Sequence, residues 1–251
     1  AFSNFDGISY AKGASVLKQM MFYIGEDKFR EGIQTYLKKY REKNTVLEDF
    51  LSCLSSASGI DISKWSKQWL ETTGVNTFKP IIDGNECIIE QIPSDNNNQL
   101  RDHAMLYECY TISNNLPKKS ESGKVFLSNL NTRIELKSKT DFILLNADDH
   151  DYAKVYFRDK DIDFIHENVT KIDDSFIRKI IWGNLWQMVR DNSLSPVKFL
   201  NMVYEHAEQE SDPSILQIHL FQKANSTLYN FLKDEEKRLW SNKFFNLAVS
   251  N

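Results

Sequence analysis

The chain has 251 residues, of which 41% are hydrophobic and 12% aromatic, enough to bury a core and too aromatic for a disordered polymer. Its 31 basic and 35 acidic residues are interleaved and sum to −4, which points away from nucleic acid or an anionic membrane surface as partner. No apolar run approaches the roughly 20 residues that span a bilayer, and the length favours two or three domains.

The chain opens Ala1-Phe2-Ser3 without a starting Met or a charged-then-apolar leader, so a mature product or a piece of a longer chain is expected. Cys53, Cys87 and Cys109 each sit in an apolar run, and none belongs to a CxxC pair. Buried free thiols are the expectation, and with them a reducing compartment, the cytoplasm. Two glycosylation triplets, at Asn168 and Asn225, lie in or beside helical patterns and do not change that reading.

Up to about residue 74 the apolar period is helical. Tyr10, Ala14, Leu17, Met21 and Ile24 recur at steps of four and three, and Gly25 can end that helix. Phe29, Ile33, Tyr36, Leu37 and Tyr40 predict a second helix. Thr45 with Glu48 predicts a capping box at the start of a third, with Gly59 at its end. Asp61 opens a fourth, carrying Trp65 and Trp69 one turn apart.

From Phe78 to about Phe157 the period changes to two. Strands are predicted at 79–83, 87–92, 104–112, 124–127, 132–136, 142–145 and 152–157, with turns at 83–85, 94–98, 117–123 and 148–151. Short strands at this spacing suggest a compact β-sandwich. Beyond Asp159 the pattern is helical again. Ile177, Ile181, Leu185 and Met188 share a face, and Ser195-Pro196 and Asp212-Pro213 each read as an N-cap followed by proline at the first helical position. Leu216, Leu220, Ala224 and Leu228 mark the buried side of the helix after Pro213. Short connections predict antiparallel pairs, stacked as a solenoid. The final pattern, 239–249, carries no stop signal, and truncation of the last domain is expected.

No glycine-rich phosphate loop and no GxSxG elbow occurs. The histidines stand at 103, 150, 166, 206 and 219, no two four apart, so HExxH, which sets two imidazoles on one helical face, cannot be built. His166-Glu167 begins that motif, but Thr170 stands in the place of its second histidine, and a surface helix end is expected there. Asp148-Asp149-His150-Asp151 could suggest a metal cluster. A turn explains it better, because consecutive turn residues diverge while a metal needs converging ligands.

The stretch Phe5-Asp6-Gly7-Ile8-Ser9-Tyr10-Ala11-Lys12-Gly13, continuing to Leu17, resembles the segment downstream of the zinc motif in the aminopeptidase N family of zinc metallopeptidases. Weaker resemblances follow at Phe29 to Gly32, Trp65 to Gly74, Leu100 to His103, Phe142 to Ala147 and Ile181 to Asp191. They imply an α+β multidomain architecture: 1–76 as the helical end of a thermolysin-like catalytic domain, 77–159 as a small β-sandwich, and 160–251 as a solenoid-like helical domain. One departure is clear, since the family's glycine-containing hairpin is replaced here by Asp148 to Asp151.

The resemblance further implies hydrolysis of peptides bearing a free N-terminus, with Tyr10 as the catalytic side chain. A phenol aimed at the carbonyl oxygen that becomes negative stabilises the transition state more than the substrate. Zinc is implied for the full-length enzyme, with its ligands upstream of Ala1, so neither metal nor activity is expected of this chain alone. The alternative, second to this reading, is a non-catalytic interaction module in which a β-sandwich and a helical solenoid offer a concave binding surface.

Overall fold

The computed structural model describes residues 8–249, so Phe5, Asp6 and Gly7 of the resemblance segment lie outside the described residues. Helices come first. A π-helical turn, Ile8–Lys12, leads into α1 (Gly13–Ile24), followed by α2 (Glu26–Lys39), α3 (Leu47–Ser58) and α4 (Ser63–Leu70). Gly25 and Gly59, at φ of 94° and 72°, occupy the left-handed backbone region in which a Cβ is penalised, and so end α1 and α3 as the sequence suggests. Gly32 serves a different purpose. A Cβ there would lie 2.5 Å from Leu54 Cδ2 and 3.0 Å from Leu54 Cα, so only glycine lets α2 approach α3 this closely.

Seven strands follow: β1 (Thr77–Asp83), β2 (Glu86–Ile92), β3 (His103–Ser113), β4 (Leu116–Leu127), β5 (Asn131–Glu135), β6 (Phe142–Leu145) and β7 (Lys154–Val155). They form two sheets, ordered β5-β2-β1-β7 and β4-β3-β6. In the first, β1 and β2 are an antiparallel hairpin with Phe78 opposite Gln91, and β7 joins β1 in parallel with Val155 opposite Phe78. In the second, β3 and β4 pair from His103–Leu127 to Ser113–Leu116, with a register shift at Cys109/Tyr110.

The last helices are α5 (Asp159–Asn168), α6 (Ser175–Arg190), α7 (Pro196–His206), α8 (Gln222–Phe231) and α9 (Asp234–Val249). Ser195 caps α7 by accepting from the Lys198 backbone N–H, with Pro196 at the first turn.

Burial divides the molecule unequally. One apolar core runs from Phe78, Ile89, Met105 and Leu145 in the sheets into Trp182, Phe199, Leu220 and Trp240 in the last helices. Phe142 joins the two parts by stacking on Phe164 at 5.0 Å. The first four helices keep a separate small core of Val16, Met20, Ile24, Leu54, Ile62, Trp65 and Trp69.

Several local expectations are corrected. The turn foreseen at 117–123 is strand. Asn114 and Asn115, at φ of 52° and 61°, form a two-residue hairpin loop that lets β4 continue from Leu116, and Pro117 is tolerated because β4 is an edge strand. The strand expected over 152–157 shrinks to Lys154–Val155, parallel to β1. The cap of α3 is shifted by one residue. Asp49 accepts from the Val46 backbone N–H at 3.1 Å, while Thr45 bonds instead with the Tyr36 hydroxyl at 2.6 Å. On α1 the buried side is Val16, Gln19, Met20 and Ile24, which leaves Tyr10 and Leu17 exposed. Leu37 on α2 is exposed as well. After Pro213, a π-helical stretch, Ile215–Phe221, inserts one residue into the turn. Burial therefore falls on Ile215, Leu220, Ala224 and Leu228, with Leu216 only partly covered.

Candidate functional site

Tyr10 lies on the π-helical turn that precedes α1 and is 64% exposed. Its position is set by α1, which is held by the small core of the first helices and by contacts with the sheet region. Val16 and Met20 pack into the small core. The Gln19 amide donates to Asp151 Oδ1 at 3.0 Å, and Lys18 Nζ donates to the Asp149 carbonyl at 2.8 Å. Phe22 stacks on His150 with ring centroids 4.6 Å apart, while Lys124 lies 4.4 Å over the Phe22 ring and donates to the Phe22 carbonyl.

The Asp148 to Asp151 segment is therefore a docking turn for α1. Its side chains diverge as the sequence suggests. Asp151 points inward and is fully buried, His150 meets Phe22, and Asp149 is exposed. Asn146 and Asp149 take φ of 56° and 51°, the left-handed conformation that glycine would otherwise supply and that Asn and Asp tolerate best. Residues other than glycine thus make the sharp turn here.

Behind this turn lies a polar network. Asp151 accepts from His103 Nδ1 at 2.8 Å and from the Ala104 backbone N–H at 3.2 Å, and both ionisable side chains are fully buried. The Asn146 side chain bonds the Asp151 backbone at both N–H and carbonyl, at 3.0 and 2.9 Å. The second ring nitrogen of His103 faces Asn76 Oδ1 at 3.4 Å, and Arg101 Nη1 donates to the same oxygen at 2.9 Å. Arg101 also reaches the Gln68 carbonyl, the Thr72 hydroxyl and the Thr73 carbonyl at the end of α4. Burial lowers the Arg101 pKa from its ordinary value. Gln68 Oε1 accepts from the Asp102 backbone N–H at 3.0 Å, and Trp69 Nε1 donates to the Asp102 carbonyl at 3.3 Å. These hydrogen bonds join the first four helices to the sheets, together with the edge contacts of Trp69 on His103 and Tyr23 on Phe126.

Sequence reasoning missed the His103–Asp151–Gln19 connection, whose partners are separated by 48 and 132 residues. The one local signal was Arg101-Asp102-His103, three charged or polar residues leading straight into a buried strand.

The other candidates resolve individually. His166 lies in the last turn of α5 and pairs on the surface with Glu205 at 2.6 Å, and Thr170 bonds Gln209. Asn168 is buried and donates to the Phe164 carbonyl, while the Thr227 hydroxyl of the second glycosylation triplet is buried against the Lys223 carbonyl. All three cysteines are buried and unpaired, with burial pushing the Cys87 thiol up to about 12 and Cys109 to about 11. Among the described residues, no three His, Cys, Asp or Glu side chains form a group able to hold a metal ion, so these residues do not fit zinc. No helix among them is long and apolar enough to cross a membrane.

Comparison with known proteins places this geometry. Residues 2–69 match the peptidase family M1 domain. The chain is 33% identical over 240 residues to aminopeptidase N of Streptomyces lividans, covering 85% of this chain and 27% of that protein. It is 37% identical over 87 residues to leucyl aminopeptidase of Saccharolobus solfataricus, covering 35% of this chain and 11% of that protein. A crystal structure of Legionella pneumophila aminopeptidase A in complex with aspartic acid superposes on 98% of this chain and 30% of its own, with a TM-score of 0.64 and 15% identity, a likeness of fold. The chain thus spans about a quarter of the length of the Streptomyces relative it matches along most of its own. By these matches the chain, a mixed α+β protein, belongs to the M1 peptidase family and is a relative of its aminopeptidases.

Proposed function

We propose that this chain works as part of a metalloaminopeptidase that releases N-terminal residues from peptides, and that Tyr10 is the catalytic side chain it contributes. The observation that carries the reading is the family match over residues 2–69, which contains the Tyr10 segment. The exposure of Tyr10, at the head of a helix anchored through Gln19 and Lys18, supports it. π-helical turns of this kind occur frequently at functional sites. The phenol donates a hydrogen bond to the carbonyl oxygen of the scissile peptide as that oxygen gains charge. The metal ligands and the groups that would bind the substrate amine are not among the described residues, and no step is assigned to them.

In this reading the first four helices close a thermolysin-like catalytic domain, the two sheets form a β-sandwich, and α5 to α9 begin a solenoid-like helical domain. We also propose a reducing compartment, the cytoplasm, supported by three buried unpaired thiols. The test is Tyr10→Phe in the intact enzyme that carries this segment. It keeps the ring and removes the donor. Loss of one oxyanion donor lowers kcat by about 10²–10³, with KM near its original value and metal content unchanged. A fall of less than about fivefold would remove Tyr10 from the catalytic machinery.

A further inference from the structure

A cleft of about 300 Å³ lies where the β6–β7 connection and β7 meet α6 and the π-helical stretch Ile215–Phe221. It is at the small end of ligand pockets, about the size for a molecule of roughly a dozen heavy atoms. Two polar atoms on its walls, Asn184 Nδ2 and His219 Nδ1, are buried and, among the described residues, have no hydrogen-bond partner. Such atoms are rare in folded proteins and call for an explanation, a bound ligand being one.

The remaining walls point to the ligand's chemistry. Lys179 lies 5.9 Å over the Phe176 ring and, among the described residues, makes no ion pair. Tyr152 and Phe176 each expose 40% of their surface and line the same cleft. Asp149, on the rim, uses its backbone carbonyl to hold Lys18, and its carboxylate lies in the field of Lys18, Lys179 and His150. Lys154 is already engaged with Asp191 at 2.7 Å. Burial, followed by the neighbouring Lys179 and Lys223 charges, lowers the His219 pKa, so the imidazole is neutral near pH 7. The cleft thus offers one cation, one anion, uncharged polar groups and two aromatic faces.

We infer that this cleft binds a zwitterionic α-amino acid with an apolar side chain. The carboxylate is held by Lys179 and the Asn184 amide beside His219, the ammonium faces Asp149, and the side chain lies against Tyr152 and Phe176. The π-helical insertion has a purpose in this arrangement, because it carries His219 to the cleft while Ile215 and Leu220 stay in the core. The inference stands on the cleft alone and is independent of the catalytic reading of Tyr10.

Gly183 provides a clean probe. It lies on α6 in the cleft wall, and a Cβ added there meets nothing within 4 Å, so a larger side chain enters the cleft without disturbing the helix. The experiment titrates the 251-residue chain with L-phenylalanine, N-acetyl-L-phenylalanine and L-phenylalanine amide, following amide resonances by NMR and affinity by calorimetry. L-phenylalanine is expected to bind saturably and to shift the Asn184 side-chain resonances. The amide, which lacks the carboxylate, and the Lys179→Met variant are each expected to weaken binding about tenfold. The N-acetyl compound, which lacks the ammonium, binds more weakly than the free amino acid. Gly183→Leu abolishes binding while circular dichroism and thermal midpoint stay as in the parent. Absence of saturable L-phenylalanine binding, equal affinity for the amide or the N-acetyl compound, or undiminished binding by a folded Gly183→Leu chain would each overturn the proposal.

Discussion

Replacing Asp151 by alanine tests the idea that a buried polar network fastens the first four helices to the sheets. Its carboxylate accepts from His103 Nδ1 at 2.8 Å, Gln19 Nε2 at 3.0 Å and the Ala104 N–H at 3.2 Å. Removing it strands three donors in a site where the side chains of both His103 and Asp151 are fully buried. One unsatisfied buried donor costs about 1–3 kcal/mol, so three of them set an upper range of about 3–9 kcal/mol. Because the vacated volume can admit a water that re-satisfies some donors, about 3–5 kcal/mol is expected for the whole substitution, not three full penalties. For a chain of this length each kcal/mol lowers the midpoint by about 2–4 °C, so Tm should fall by about 6–20 °C. Urea unfolding followed by tryptophan fluorescence reports the change, since Trp65 and Trp69 sit in the small core behind the network. A double-mutant cycle with His103→Ala should show the pair losing less than the sum of the singles by about 1.5 kcal/mol or more. A loss under about 1 kcal/mol, with additive singles, would refute the assignment of this network as the fastening.

Three further outcomes follow from the same geometry. Burial lowers the pKa of His150, His206 and His219 below the usual 6.5, so the folded state binds fewer protons than the unfolded chain. Their contribution is therefore fully present above about pH 6.5 and is lost as pH falls from there through the folded-state values; urea midpoints at pH 7.5 and 5.5 should differ in that sense, less so in His206→Gln. Gly32→Ala should cost about 1–3 kcal/mol, because its Cβ would come within 2.5 Å of Leu54 Cδ2; a thermal midpoint equal to the parent would show that α2 and α3 can separate freely. The dialysed 251-residue chain should retain less than about one zinc in ten molecules by metal analysis and hydrolyse no aminoacyl reporter with zinc added, and one tightly held zinc per chain would overturn the reading of its donor set.

What the sequence determined by itself was local. The change of apolar period located the strands between two helical regions, because period is a property of neighbours along the chain. Gly25, Gly59 and Ser195-Pro196 were legible as helix ends for the same reason: caps act within four residues. The Tyr10 segment was recognisable from contiguous residues, though its surroundings were not. Helical faces were read less well. Tyr10 and Leu17 share a stripe with Ile24 on paper, yet the side of α1 that is buried was chosen by Trp65 and Trp69 from another helix.

The rest was decided only by the tertiary structure. Asp148 to Asp151 reads as a solvated turn, and three of its four residues do project outward or sideways. That Asp151 turns inward follows from His103, 48 residues earlier, and Gln19, 132 residues earlier. No pattern within one element encodes a hydrogen bond between three elements. The π-helical insertion at 215–221 is equally silent, because its residues would satisfy an ordinary helix; packing against α6 selects the extra residue. Local backbone preferences act over a few residues and can be read in order, whereas burial of polar groups depends on which distant donors arrive to satisfy them.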